Sequence, residues 1–279
     1  MKKKIVGITG STGILGSNIL RNNKKDFIFK RFKGNIAKRS DVFKWIKNNN
    51  FEYILHLAAK VPVSFVEKNY DLSLRINFDG TKNIVDAINF YKKEIKWFFF
   101  SSSAQVYTFS NTKIKETSKT RGISKYGRTK LMAEKYITKK LNKKVKFCIG
   151  RIFSFTDIKQ DMSYFIPSIH NKIKKSKKLF VTENLSQKRD FIHIKDLSRA
   201  IIFLLKKNFN NIINIGSGHR TELNMIMKYF ARKYKKKILI KKISKNIKGN
   251  LCPDITRLKR TGFNCKYTIN NVLNDFIKS

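Results

Sequence analysis

The sequence predicts an α/β protein, a doubly wound parallel sheet with a smaller, interleaved C-terminal lobe. Three observations carry that reading. Short apolar runs of strand length alternate with stretches of helical periodicity over the first half of the chain. A glycine-rich turn separates the first such run from the first helix. After Arg151 the alternation loosens. With 279 residues, 41% hydrophobic and 13% aromatic, the chain has the apolar mass for a large core, which excludes a disordered polymer. Residues 1–150 are expected to form the sheet domain, which also receives roughly 190–216, while 151–279 form the interleaved lobe.

Each element follows from local pattern. Lys2–Thr9 is a basic lead followed by a buried strand, and the turn after it opens a helix near Ile14–Asn22. Asp26–Lys30 is a second short strand. Ser40 or Asp41 caps a helix to about Asn48, with Val42, Phe43, Trp45 and Ile46 on its apolar side. Tyr53–Leu57, Lys96–Ser101 and Val145–Ile149 read as further strands, and Tyr70–Tyr91 and Ser124–Leu141 as helices. Strands alternating with helices imply a parallel sheet covered on both faces. Beyond Arg151, helices are expected at Tyr164–Lys174, Ile194–Lys206 and Glu222–Tyr234, with a late strand at Asn211–Ile215.

Charge is the most conspicuous compositional feature. Lys plus Arg is 62 against 18 Asp plus Glu, a net charge of +44. Clustered cations would suggest nucleic acid, but the lysines run along the whole chain, and Asn, Ile, Phe and Tyr are also abundant. A/T-rich coding accounts for that mixture, so nucleic acid is disfavoured as a partner. Cysteines stand at 148, 252 and 265, with no paired framework and no CxxC, which fits a cytoplasmic protein. No apolar run reaches membrane-span length; Ala200–Leu205 is far too short. The lysines after Met1 are followed by a glycine-rich segment with Asn18 and Arg21, unlike a signal peptide. The four His are scattered, so no metal site is expected.

Chemistry begins at Thr9-Gly10-Ser11-Thr12-Gly13-Ile14-Leu15-Gly16. Gly10 permits a tight turn, Gly13 lets backbone approach a pyrophosphate at the helix N-terminus, and Gly16 allows close helix–strand packing. This GxxGxxG spacing resembles the extended branch of the short-chain dehydrogenase/reductase superfamily, the NAD-dependent epimerase/dehydratase family of nucleotide-sugar enzymes. Further segments match in order: His56-Leu57-Ala58-Ala59, Asn77-Phe78-Asp79-Gly80-Thr81, Ser101-Ser102-Ser103-Ala104-Gln105-Val106-Tyr107, Tyr126-Gly127-Arg128-Thr129-Lys130, Arg189-Asp190-Phe191-Ile192-His193 and Asn214-Ile215-Gly216-Ser217-Gly218. The resemblance implies a Rossmann-type sheet. It also implies a bound NAD(P) touching Gly10, Ser11, Thr12, Gly13, Ile14, Arg31, Asn35, Ile36, Leu57, Ala58, Ala59, Asn77, Ser101, Tyr126, Lys130 and Phe153.

Tyr126 and Lys130 stand at i and i+4, on one face of a helix. A free Tyr, with a pKa of about 10, is too weak a base near neutrality. A neighbouring ammonium favours the tyrosinate, so Tyr126 can exchange a proton with a sugar oxygen. Ser103 would hydrogen-bond the same oxygen and Lys130 would hold the nicotinamide ribose, as the resemblance implies. The related dehydratases carry Thr-Asp-Glu where this chain has Ser103-Ala104-Gln105, the related decarboxylases a Glu at Gln105, and the fucose-synthase-like enzymes a Cys near this turn. None of these is present, which leaves hydride chemistry at one sugar carbon, C4.

Lys30-Arg31 follows the second strand where NAD enzymes place an acid for the ribose 2′-OH, and Arg31 suits a 2′-phosphate. The cofactor expectation is therefore NADP(H) over NAD(H), and the leading function a 4-keto-sugar reductase, with a nucleotide-sugar 4-epimerase as alternative. A non-catalytic Rossmann-fold module binding RNA or protein is the rival from another class. The resemblance implies a nucleotide-diphosphate sugar met by Ser103, Ser154, Arg189 and Asn250, and a homodimer built on Tyr70–Tyr91 and Ser124–Leu141, with Ile84, Val85, Ile88, Leu131 and Ile137 supplying contacts. Arg189 bound structurally to Asp190 is the competing reading for that side chain.

Overall fold

The computed structural model describes residues 3–183, 186–241 and 249–279, so Lys2 of the expected first strand lies outside the described residues. The chain divides into two compact units. The first holds Met1–Thr108, Glu116–Ile152 and Ser198–Asn214; the second holds Phe109–Lys115, Phe153–Leu197 and Ile215–Ser279.

In the first unit the chain runs β1 (Lys4–Thr9), α1 (Ile14–Asn23), β2 (Phe27–Arg31), α2 (Arg39–Lys47) and β3 (Tyr53–His56). Two short helices, α3 (Val63–Lys68) and α4 (Tyr70–Leu74), lead through a π turn at Arg75–Asp79 into α5 (Gly80–Phe90). β4 (Trp97–Ser103), α6 (Lys125–Lys140) and β5 (Lys146–Ile152) follow. The six-stranded sheet has the order Asn211–Ile215, β5, β4, β3, β1, β2. β1 pairs in parallel with β2 and β3, and β4 in parallel with β3 and β5. Such a sheet is covered on both faces, and Val6, Ile8, Ile54, Leu55, Phe98, Phe99 and Phe100 are each 0% exposed. Burying one such side chain contributes roughly 1.5–3 kcal/mol.

The strand order reverses direction at β1, so the loops after β1 and β3 diverge and leave a crevice at their C-terminal ends, the usual place for a nucleotide in this architecture. Two expectations need correction. The helix over Tyr70–Tyr91 is interrupted, because the π turn at Arg75–Asp79 widens one turn of backbone around Asn77. Helix α2 begins at Arg39 with Lys38 as N-cap, not at Ser40 or Asp41; Asp41 lies in its first turn and its Oδ2 accepts the Asn35 N–H at 2.9 Å. A carboxylate near a helix N-terminus is favoured there without serving as the cap.

The second unit packs the helices Phe165–Lys175, Leu223–Lys233 and Ile269–Lys278 around Ile166, Ile173, Met227, Phe230, Leu273 and Phe276. Short strand pairs frame them: Ser154–Thr156 with Phe191–His193, Lys188–Arg189 with Thr221–Glu222, and Leu179–Glu183 with Lys237–Lys241.

Candidate active site

The turn after β1 distinguishes its three glycines. Gly10 has φ +68°, and a Cβ there would lie 2.6 Å from the Ala58 backbone nitrogen. A Cβ on Gly16 would lie 2.2 Å from the Gly10 carbonyl oxygen, so α1 crosses β1 at a distance only glycine allows. Gly13 differs: its nearest neighbour would be the Gly10 carbonyl oxygen at 3.5 Å, an ordinary contact. The protein does not require glycine there, and the space a methyl group would fill remains open to a ligand. Gly13 is also the N-cap of α1 and supplies no side-chain cap, so the first N–H groups of the helix remain available to an anion. The residues present fit a dinucleotide pyrophosphate.

The loops after β1 and β3 are stitched by His56. Its Nδ1 is 2.7 Å from the Thr9 hydroxyl and its Nε2 is 2.9 Å from the Thr81 hydroxyl. Thr81 donates to the Asn77 carbonyl at 2.9 Å and must therefore accept from His56, which puts the proton on Nε2. Nδ1 then accepts from Thr9, whose oxygen takes the N–H groups of Leu57 and Ala58 at 3.2 Å each. Burial, helped by the charge of Lys130, pushes the imidazole pKa down to about 3, so the chain of bonds is built on a neutral ring. Asn77 acts as a clip: its Oδ1 accepts the Lys60 N–H at 2.7 Å, and its Nδ2 donates to the Lys60 carbonyl and to Thr129, at 3.2 Å each.

At the end of β4, the Ser103 hydroxyl accepts the Gln105 N–H at 3.2 Å. Gln105 then clasps the start of α6. Its carbonyl accepts the Ile123 N–H at 3.0 Å, its side-chain oxygen accepts from Ser124 at 3.1 Å, and a Cβ on Gly127 would lie 2.1 Å from that carbonyl. Strand end and helix start are thus held in contact, so the end of β4, which carries Ser103, adjoins the start of α6, which carries Tyr126. Lys130 is 1% exposed, with its ammonium 4.7 Å from the Phe100 ring centroid and 5.9 Å from that of Tyr126. Desolvation drops its pKa to about 7, against an opposing pull from Glu134. One turn beyond Lys130, Glu134 receives the Arg151 guanidinium through Nη2 at 2.7 Å and Nε at 3.1 Å, and also accepts from Ser102. This buried bidentate pair ties α6 to β5 one turn from Lys130.

Sequence reasoning named Ser103, Tyr126 and Lys130 but missed Gln105, Glu134 and Arg151 as their supports. A carboxylate at i+4 from Lys130 and a lone Arg inside an apolar strand were the available signals. Of the other expected cofactor residues, Ser11 and the backbone of Leu57–Ala59 lie at the crevice loops, and Thr12 is exposed beside them. Arg31 is the last residue of β2, not the residue after it; it pairs in register with Ile8 and is exposed. Asn35 turns its Oδ1 to the Ala37 N–H at 3.0 Å. Ile36 is buried under Gly80, so only its backbone remains available. Ser101 is half-buried in β4, while Phe153 belongs to the second unit.

In the second unit the competing reading of Arg189 fails. Asp190 accepts from the backbone N–H and hydroxyl of Ser217, each at 2.8 Å, and burial pushes its pKa up to about 6. Arg189 instead bonds the carbonyls of Lys188 and Gly249 at 3.0 and 2.9 Å and Gln187 Oε1 at 2.8 Å. Asn250 spends its side-chain oxygen on the Lys188 N–H at 2.8 Å, and Ser154 lines a cavity with Arg189. Among the described residues no three His, Cys, Asp or Glu side chains gather as metal ligands.

A crevice at the strand reversal, a glycine turn with room for phosphate and a Tyr–Lys pair on the adjoining helix mark a class, the nucleotide-binding α/β enzymes. Residues 6–216 match the NAD dependent epimerase/dehydratase family, and the chain belongs to that family. Relatives include the dTDP-4-dehydro-6-deoxyglucose reductase of Escherichia coli, 25% identical with 86% of this chain and 84% of that one covered. The UDP-glucose 4-epimerase of Mycoplasma genitalium is 26% identical, with 77% of each covered. Among solved structures, RMD from Pseudomonas aeruginosa complexed with NADPH superposes with a TM-score of 0.87 at 18% identity over 99% of this chain and 98% of that one, a likeness of fold. Among the described residues, no helix is long and apolar enough to cross a membrane.

Proposed function

We propose that the chain reduces the ketone of a 4-keto nucleotide sugar, with Ser103, Tyr126 and Lys130 as its catalytic residues and NADPH as its dinucleotide. The observation that carries this is the buried Lys130 ammonium on the Tyr126 face of α6, 4.7 Å from the ring centroid of Phe100 in β4. A bound nicotinamide dinucleotide supplies the hydride. Ser103 hydrogen-bonds the ketone oxygen, and Tyr126 gives that oxygen its proton. Lys130 offsets the charge left on the phenolate and holds the ribose. Arg189, with three of its N–H groups bonded to protein oxygens, offers the rest to a diphosphate. The exposed cation of Arg31 supports a 2′-phosphate, and the E. coli relative is itself named a reductase.

The 4-epimerase is the second reading. The M. genitalium relative bears that name, and Asp41 brings a carboxylate to the turn after β2, against Gly34 and Asn35. Dialysis separates the two, since retained NAD⁺ indicates the epimerase and freely exchanged NADPH the reductase. Tyr126→Phe tests the chemistry shared by both. It keeps the ring and should lower kcat at least ~10²-fold with dinucleotide affinity little changed. Near-normal turnover would refute the assignment. The chain is further proposed to act as a homodimer in the cytoplasm; the exposed Leu72, Phe90 and Met132 support the dimer.

A further inference from the structure

The parallel strands Leu179–Glu183 and Lys237–Lys241 form a two-stranded ribbon with an inner and an outer face. Register sets Phe180 beside Ile238, and both pack on the core of the second unit. Thr182 lies on the same side and donates to the Met227 sulfur. Alternate residues of a strand point the opposite way. Leu179, Val181 and Leu239 therefore stand on the outer face, 50%, 44% and 50% exposed, with Val181 and Leu239 directly opposite one another. A cluster of aliphatic side chains left in water on one face marks a surface of interaction.

The start of the ribbon is cationic. The Lys237 N–H donates to the Lys178 carbonyl at 2.9 Å, and the Lys236 ammonium donates to the Lys177 carbonyl, so four lysines meet where both strands begin. Lys177, Lys178 and Lys237 are exposed, as are Lys174 and Lys175 in the last turn of the preceding helix. Between Asp161 and Glu183, and between Glu222 and Asp254, the sequence holds 15 Lys and Arg and no Asp or Glu, so no acid along these segments offsets the charge. Lysine runs occur elsewhere, but the apolar residues within the run at 139–146, Leu141 and Val145, are buried. The ribbon differs in joining free cations to exposed aliphatic groups.

That pairing matches a surface that lays negative charge directly over hydrocarbon. In an anionic bilayer the phosphates meet the lysines, and Leu and Val enter the boundary beneath them. A second copy of the same face would set cation against cation. Nucleic acid offers phosphate, but its bases stack on aromatic groups and gain little from Leu and Val. We propose that the outer face of this ribbon docks the chain on an anionic lipid bilayer. The inference is independent of the proposed reduction.

Co-sedimentation of the full chain with vesicles tests it. Vesicles of equal parts phosphatidylglycerol and phosphatidylcholine should bind the protein, and vesicles of phosphatidylcholine alone should not. The combined variant Leu179→Ser, Val181→Ser and Leu239→Ser should bind the anionic vesicles about 10- to 100-fold more weakly. The combined variant Lys177→Glu, Lys178→Glu and Lys237→Glu should lose at least about tenfold. Lys139→Glu, Lys140→Glu and Lys143→Glu together remove the same charge from the other run and should cost less than about threefold. All these side chains are exposed, so melting temperature and NADPH affinity should stay near those of the wild type. Failure of the wild type to bind anionic vesicles overturns the proposal. So does binding indifferent to the serine variant, which would leave the face to a protein or nucleic-acid partner. Equal losses in both lysine variants also overturn it, since the attraction would then belong to the +44 chain as a whole.

Discussion

Arg31 is the residue on which the proposed NADPH preference rests. It ends β2 in register with Ile8, one strand from the glycine turn, and no carboxylate pairs with it among the described residues. Arg31→Ala should weaken NADPH binding roughly tenfold, leave NADH nearly unchanged, and lose its effect as salt rises. Equal losses for both dinucleotides in a titration would reduce Arg31 to part of the general basic surface. Burial makes a second residue-scale prediction. His56 is held at about 3 against an ordinary 6.5, and Lys130 at about 7 against an ordinary 10.5. In each window the unfolded chain carries the proton and the folded chain does not, so both groups make stability rise with pH, by up to about 1.4 kcal/mol per unit. Urea melts at pH 4, 6, 7 and 9 should show this rise, and Lys130→Met should flatten the upper window. A flat upper limb in the wild type would mean that the ammonium is solvated.

At the scale of elements, the turn between β1 and α1 joins glycines the fold requires with one, Gly13, that it does not. Gly16→Ala puts a methyl group 2.2 Å from the Gly10 oxygen, an overpacking that costs roughly 1–3 kcal/mol or more. Gly13→Ala finds only an ordinary contact at 3.5 Å, so it should melt within a degree or two of the wild type yet bind dinucleotide at least about tenfold more weakly. Thermal melts with fluorescence titration separate the two, and a Gly13→Ala protein with normal affinity would show that the pyrophosphate lies elsewhere. The sequence motif named all three glycines but could not rank them, because rank depends on a carbonyl that only the fold brings close. The same holds for Gln105 and Glu134, whose partners Ser124 and Arg151 are remote along the chain. The helix Ile269–Lys278 is different. Its apolar residues at 269, 272, 273, 276 and 277 announce a helical face, so the signal was present and went unread. Strands of two or three residues, such as Lys188–Arg189, carry no periodicity at all.

For the whole molecule, the question is which apolar surface is spare. The expected dimer contacts Ile84, Val85, Ile88 and Ile137 are at most 1% exposed and belong to the core beneath the sheet. Periodicity identifies an apolar face, not whether sheet or partner covers it. The side chains that remain outside on these helices are Phe90, 67% exposed, Leu72 and Met132. Phe90→Asp should therefore shift sedimentation towards monomer without unfolding the chain, at a cost within the ordinary range for surface substitutions. A wild type that sediments only as monomer at micromolar concentration would remove the dimer.

Lys130 has one consequence measured outside the protein altogether. A side chain held near half-protonation at neutral pH is a proton acceptor waiting for a reason to fill. The ribose that the proposed function places beside its nitrogen would supply that reason, since hydrogen bonding to the charged form raises the pKa. Loading the enzyme should then draw roughly half a proton from the medium per site near pH 7. The apparent heat of loading would follow the ionisation enthalpy of whichever buffer surrenders it, so two laboratories using phosphate and Tris would record different enthalpies for the same event.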